Sequence, residues 1–269
     1  MAEDATLAAE PPVSMKPWHG PVWRLALPIL LANVTTPLMG MVDTAIIGHM
    51  PDPALIGAAA LGALIFSFLY WGFGFLRMGT TGFAAQAYGS GDRLELSASF
   101  WRPALLAFLL GGLLIALQGP VGSLAFALVA PSAGVRHAAE IYFDIRILSA
   151  PASLLSYVVI GWFIALQQTR WVLVYGLLTN LLNLGFSLGF VLGLDWGIAG
   201  VAWGTVCAEV AALLIIAPVI LLKLRRHTLW PGLARLLERA RLLALIRVNA
   251  DLFVRTLALL ITLGVFTTL

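Results

Sequence analysis

The chain of 269 residues is 61% hydrophobic and 11% charged, with a mean hydropathy of +0.96, whereas soluble domains carry about 25% charged residues. A soluble enzyme is excluded by that balance. Nucleic-acid binding is excluded too: the pI is about 9.4, yet the sixteen Lys and Arg cluster at segment ends and form no single patch. The lone Cys207 lies in an apolar run, which leaves no intrachain disulfide and no cysteine metal cluster.

In chain order, residues 1–20 read as a tail. It holds Glu3, Asp4, Glu10 and three prolines, which does not fit a cleavable signal peptide, so the first span must direct insertion. Seven apolar segments follow, at roughly 23–49, 54–88, 97–118, 138–166, 171–194, 197–223 and 248–269, each long enough to cross a bilayer as a helix. Backbone groups in lipid must be satisfied internally, and no short alternating strands of a barrel are present, so an all-α integral membrane fold is expected. Turn formers separate the spans: Pro51 and Pro53, Gly89 to Asp92, Gly119 and Pro120, Pro131 to Gly134, and Asp195 to Gly197. From Lys223 to Arg247 there are seven basic residues and one acidic one, Glu238, with leucines interleaved, which predicts a helix on the membrane surface.

Lys and Arg fall in the amino-terminal tail (Lys16, Arg24) and in the second, fourth and sixth connections, while the first and fifth have none and the third has only Arg136. A multi-pass protein of the cell inner membrane is expected, and the positive-inside rule predicts a cytoplasmic amino terminus.

Within the first span, Asp43 is the only acidic side chain between Leu25 and His49. An ionisable group at such depth is costly and marks a functional site by default; the bland alternative is a hydrated interfacial carboxylate. Asn33, Thr36, Gly40 and Asp43 follow one another at three, four and three residues, placing them on one helix face. Pro28 and Pro37 interrupt the same helix, and Pro37 removes the usual partner of the Asn33 carbonyl. A bent helix with a polar face can line a cavity at membrane depth, or be kinked only for packing.

The fifth span repeats the pattern with Asn180, Asn183 and Ser187. Two carboxamides and a hydroxyl can surround a carboxylate, or glue helices together. Glu209 in the sixth span is a second intramembrane acid and a secondary proton-site candidate, with Thr205 as its one polar companion at helical spacing. Arg146 reads as a local ion pair with Asp144 near the start of the fourth span. His19, His49, His137 and His227 fall at segment ends and read as interfacial. The glycines between 57 and 82 read as sites of close helix approach. No catalytic constellation, metal-ligand spacing or phosphate-cradling loop is present, so neither enzyme activity nor a cofactor or metal is expected.

Residues 76–92, LRMGTTGFAAQAYGSGD, resemble the end of helix two of the multidrug and toxic compound extrusion (MATE) transporters. SAPASL at 149–154, the Gly161-Trp162 that follows, GIAGVAWGT at 197–205 and NADLFVRT at 249–256 extend the likeness and point to the DinF-like branch. The resemblance covers residues 20–269. It implies a secondary antiporter that exports small organic compounds, often cationic, from the cytoplasm by alternating access, coupled to protons or sodium, with the lipid bilayer as its setting. In similar proteins a bent first helix carries a proline and, fifteen residues later, the aspartate that takes the coupling ion; Pro28 and Asp43 stand at that spacing. The family's fifth helix has Asn followed four residues later by Asp, and here those positions are Asn183 and Ser187. The second carboxylate is missing. The expectation is therefore a coupling site centred on Asp43, with Asn180, Asn183 and Ser187 around it and Asn33, Thr36, Gly40 and Glu209 lining the cavity.

Transporters of this family have twelve helices in two lobes of six. The resemblance thus implies a cytoplasmic tail at 1–20, a six-helix lobe at 21–223, a basic linker at 224–247, and the first helix of a truncated second lobe at 248–269. The missing carboxy-terminal lobe would be a partner. Two alternatives stand beside export: a lipid-linked precursor flippase, which would want a strongly cationic cavity, and a membrane fragment that transports nothing.

Overall fold

The computed structural model describes residues 16–48, 50, 52–228 and 230–268. Some side chains inside the helices, those of Thr36 and Pro37 among them, lie outside the described residues, as does His49. All regular structure among the described residues is helical. Five stretches are long and apolar enough to cross a bilayer: Pro53–Ser90, Arg93–Ala116, Ala133–Ala165, Thr169–Gly193 and Gly197–His227. Ahead of them runs α1 (Lys16–Ile47), one helix through the positions of Pro28 and Pro37.

Two spans that read as continuous in the sequence are broken. The first consists of α2 (Pro53–Trp71) and α3 (Phe75–Ser90), separated at Gly72-Phe73-Gly74. Glycine is the weakest helix former after proline, and here two of them let the chain tighten to i→i−3 bonds, Phe73 N–H to the Tyr70 carbonyl at 2.9 Å and Gly74 N–H to the Trp71 carbonyl at 3.0 Å. The second consists of α6 (Ala133–Arg146) and α7 (Ala150–Ala165), joined by a 3₁₀ turn over Ile147–Ser149, with Pro151 in the first turn of α7 where no N–H is needed. The breaks match: α2 packs on α6 and α3 on α7. Irregular backbone at membrane depth is tolerated where it lines a cavity, and both breaks border the cleft described below.

Helix α4 (Arg93–Ala116) packs against α7. At their crossing a Cβ on Gly111 would stand 2.5 Å from the Pro151 backbone, so only glycine permits this approach. Gly91, at φ 72°, closes α3 in the left-handed conformation, and Asp92 then caps α4 by accepting from the Glu95 N–H at 2.9 Å. A short helix absent from the sequence reading, α5 (Gln118–Val129), follows α4. Pro120 sits in its first turn and does not break it, and a helix of twelve residues is too short to cross.

Helix α8 (Thr169–Leu188) lies between α1 and α9 (Gly197–His227) and ends in a π-helical turn over Gly189–Gly193. The basic segment expected to be one surface helix is divided: Lys223 to His227 finish α9, α10 (Leu233–Leu236) is a single turn, and Arg239 to Arg247 open α11 (Arg239–Thr268). Pro231 and Gly232, at φ 85°, enforce the division. Tertiary contacts also hold it. Arg102 of α4 pairs with Glu95 at 2.6 Å and donates to the carbonyls of Arg235 at 2.7 Å and Leu236 at 3.3 Å, while Trp230 meets Trp101 edge to face.

The core centres on α7, where Trp162, Phe163 and Leu154 are fully buried. Leu109, Leu181 and Leu214, by contrast, are about 70% exposed in α4, α8 and α9. Outward leucines at this density would be untenable in water and suit the hydrocarbon of a bilayer.

Candidate functional site

A cleft of about 590 Å³ opens between α1, α2, α6, α7 and α9. It is mostly aromatic and apolar: Phe66, Phe68, Tyr70 and Trp71 come from the last turns of α2, Tyr142 from α6 and Tyr157 from α7. The α2–α6 crossing seats Tyr142, whose ring lies where any side chain on Gly62 would have to go.

Three charged side chains reach this cleft, Asp43, Arg146 and Glu209. Asp43 enters from α1 beside Gly40, which likewise lines the cleft. One of its carboxylate oxygens is buried with no hydrogen-bond partner. Behind it stands Asn183 of α8, fully buried, presenting its side chain to the carboxylate. The Asn183 amide donates to the Thr205 hydroxyl at 3.0 Å, and that hydroxyl donates in turn to the Val201 carbonyl at 3.1 Å. The Asn183 carbonyl oxygen has no partner. Two unsatisfied acceptors therefore occupy one buried neighbourhood, and an added proton on the carboxylate would supply the donor they lack.

Arg146 and Glu209 are organised differently. Arg146 Nη2 meets Glu209 Oε1 at 2.6 Å and Nη1 meets Oε2 at 3.4 Å, with both side chains almost wholly buried. The guanidinium also donates to the Ser149 hydroxyl in the 3₁₀ break and lies 5.4 and 5.7 Å from the ring centres of Phe66 and Tyr70. Ser153 donates its hydroxyl to Glu209 Oε2. A buried ion pair persists only when its remaining hydrogen-bonding capacity is met, and here the break between α6 and α7 supplies those groups.

The positions singled out from the sequence scatter accordingly. Asp43, Gly40 and Glu209 share the cleft, and Asn183 backs it. Ser187 is fully buried one turn further on, where its hydroxyl packs against the backbone face left open by Gly204 of α9. Asn180 is partly buried outside the lining, and Asn33 is exposed. Pro28 borders a separate hollow with Arg24, Gln168 and Arg170. The expectations for Thr36 and Pro37 fall on side chains outside the described residues.

Two expectations are corrected. Arg146 does not pair with Asp144, which is exposed; residues two apart in a helix point to different sides. Glu209 is not confined to Thr205 for polar company, because Arg146 and Ser153 reach it from α6 and α7. Spacing within one helix is blind to a partner on another. One signal was available: Arg146 is the only basic residue in the apolar run 138–166, just ahead of Ser149 and Ser153.

Comparison with known proteins agrees with this architecture. The family described as MatE matches residues 28–188. The chain is 40% identical over 256 residues to DNA damage-inducible protein F of Escherichia coli K12, covering 92% of this chain and 54% of that protein. It is 30% identical over 201 residues to a probable multidrug resistance protein NorM of Caulobacter vibrioides, covering 72% and 42% respectively. A solved structure of a multidrug resistance MATE family transporter of the MOP superfamily, in an outward-facing conformation, superposes with a TM-score of 0.79 at 19% identity, covering 91% of this chain and 54% of the other. The chain thus spans about half the length of the relatives it matches.

Proposed function

Because the chain belongs to the MatE family, whose members are membrane transporters and not enzymes, we propose that it supplies one lobe of an antiporter exporting organic cations in exchange for protons. The carrying observation is Asp43: a half-buried aspartate with one buried, unpartnered carboxylate oxygen, at the edge of an aromatic cleft large enough for a small organic molecule. Aromatic faces attract organic cations, and the Asp43 carboxylate adds a negative charge. A proton on the same carboxylate cancels that charge. Cation and proton then compete for one group, and this is what exchange requires.

Alternating access follows if the two states of the protein bind proton and cation with different affinity. Helix α1 carries Asp43 and packs chiefly against α8, where Asn183, bonded to Thr205 of α9, stands ready to accept or release hydrogen bonds as the carboxylate changes charge. Ser187 holds no carboxylate, so coupling centres on Asp43 alone. The proton is favoured over sodium because a protonated Asp43 carboxyl would itself supply the donor that the unpartnered Asn183 carbonyl oxygen lacks. The basic ends at Arg24, Arg93, Arg170 and residues 223–247 support a cytoplasmic amino terminus, and the twofold length of the relatives supports a second lobe as partner. A flippase would want a cationic cavity, but the one arginine in this cleft is neutralised by Glu209.

The test is export of a fluorescent cationic dye from membrane vesicles under an imposed proton gradient. Asp43→Asn abolishes export at normal expression. Undiminished export by that variant contradicts the proposal, and absence of export by the unaltered chain even with a second lobe co-expressed favours a non-transporting fragment.

A further inference from the structure

Among the described residues, the cleft's charges are Asp43 on α1, Arg146 on α6 and Glu209 on α9; its other titratable groups are Tyr70, Tyr142 and Tyr157, all neutral near pH 7. Arg146 and Glu209 are committed to one another. The guanidinium is bound by both Glu209 oxygens and Ser149 and covered by two aromatic rings, and Glu209 is held further by Ser153. An arginine is never deprotonated in a protein, so this pair contributes no net charge. The cleft therefore carries one negative charge with Asp43 ionised and none with Asp43 protonated.

We infer that the Arg146–Glu209 salt bridge is a specificity element that fixes the charge of the cleft, restricting it to organic cations bearing a single positive charge. The inference rests on the proposed role of Asp43 and adds the charge class of the substrate. A monocation brings the occupied cleft to neutrality. A dication leaves an uncompensated positive charge, and an organic anion an additional negative one, in surroundings of low polarity where unpaired charge is costly. The pair thus does for selectivity what Asp43 does for exchange. It also explains why a costly buried ion pair stands in a cleft where two apolar side chains of similar volume would pack at least as well.

The experiment is equilibrium binding to the purified 269-residue chain in lipid nanodiscs, with tetraphenylphosphonium as monocation and methyl viologen as dication, each variant first checked for a cooperative thermal transition. The unaltered chain binds tetraphenylphosphonium more than about tenfold tighter than methyl viologen, and Asp43→Asn removes that binding. Arg146→Gln exposes Glu209 as a second negative charge and shifts the preference toward methyl viologen by about tenfold or more. Glu209→Gln exposes Arg146 and weakens tetraphenylphosphonium binding by a similar factor. Arg146→Lys restores the unaltered preference, because it keeps the charge while losing the forked geometry; a purely structural role would not be rescued by lysine.

If Arg146→Gln does not fold, the near-isosteric Glu209→Gln decides. Tetraphenylphosphonium binding that depends on Asp43 but keeps the same preference in the folded Arg146 and Glu209 variants overturns the inference and leaves the proposed function standing. Binding by the unaltered chain that is independent of Asp43 overturns the proposed function instead.

Discussion

Arg146 and Glu209 are separated by 63 residues in the chain and meet at 2.6 Å across the α6–α9 interface, where the 3₁₀ turn after α6 brings Ser149 and Ser153 to the same pair. Removing one partner leaves a buried charge uncompensated. Glu209→Ala is expected to cost about 3–5 kcal/mol of stability, read as a lowered thermal transition in detergent. A loss below about 1 kcal/mol would mean that the guanidinium finds water or another anion in the cleft.

The Gly111–Pro151 approach makes a sharper packing test, because the obstacle is backbone and cannot swing aside. Gly111→Ala should force α4 and α7 apart and cost about 1–3 kcal/mol. Gly112→Ala is the matched control: nothing stands within 4 Å of the added methyl, and the change should be neutral or stabilising by about 1 kcal/mol. Thermal unfolding of the two variants side by side checks the pair.

The division of the basic segment into α10 and the start of α11 depends on Arg102. Its guanidinium is buried and spent on Glu95 and on the Arg235 and Leu236 carbonyls. Arg102→Ala should free that segment, raising chymotrypsin cleavage near Trp230 and Leu233 by about tenfold or more, as expected when a buried charge is left without its partner. Arg102→Lys should fail to restore protection, since a single ammonium cannot serve two carbonyls and a carboxylate in that forked arrangement.

The fold was largely legible because hydrocarbon depth, helix length and the need to satisfy backbone groups leave few solutions, and the apolar runs are long. What the sequence hid is instructive. The break at Gly72-Phe73-Gly74 lies inside an apolar run with no polar marker, and a mean over twenty residues does not register two glycines. The 3₁₀ turn at Ile147–Ser149 is too short to show in the pattern of a long apolar run, even with Arg146 before it and Ser149 in it. Asp43 was conspicuous because a charge in an apolar run is costly wherever its partners are, so its isolation could be read without knowing the fold. Arg146 needed the fold: Asp144 offered a local partner in the sequence, and only the packing of α6 on α9 reveals Glu209. Same-face spacing on α1 groups Asn33, Gly40 and Asp43; Gly40 and Asp43 both line the cleft, while Asn33, two turns before Gly40, is exposed, because the cleft does not extend the length of the helix.

If Asp43 holds either a cation or a proton, tetraphenylphosphonium affinity should fall as pH is lowered through the titration of that carboxylate, since the protonated group offers no charge. Asp43→Asn should bind weakly and without pH dependence. Binding titrations at successive pH values check the sign, and stronger binding at low pH would reverse it.

The central claim is exchange at Asp43, and its most direct test is proton release on binding. The purified chain, in nanodiscs and weakly buffered solution below the midpoint of that titration, is mixed with tetraphenylphosphonium while pH is recorded. Bound cation should displace protons from the unaltered chain, and Asp43→Asn should release none. Cation binding with no proton release, or equal release from Asp43→Asn, would contradict that claim.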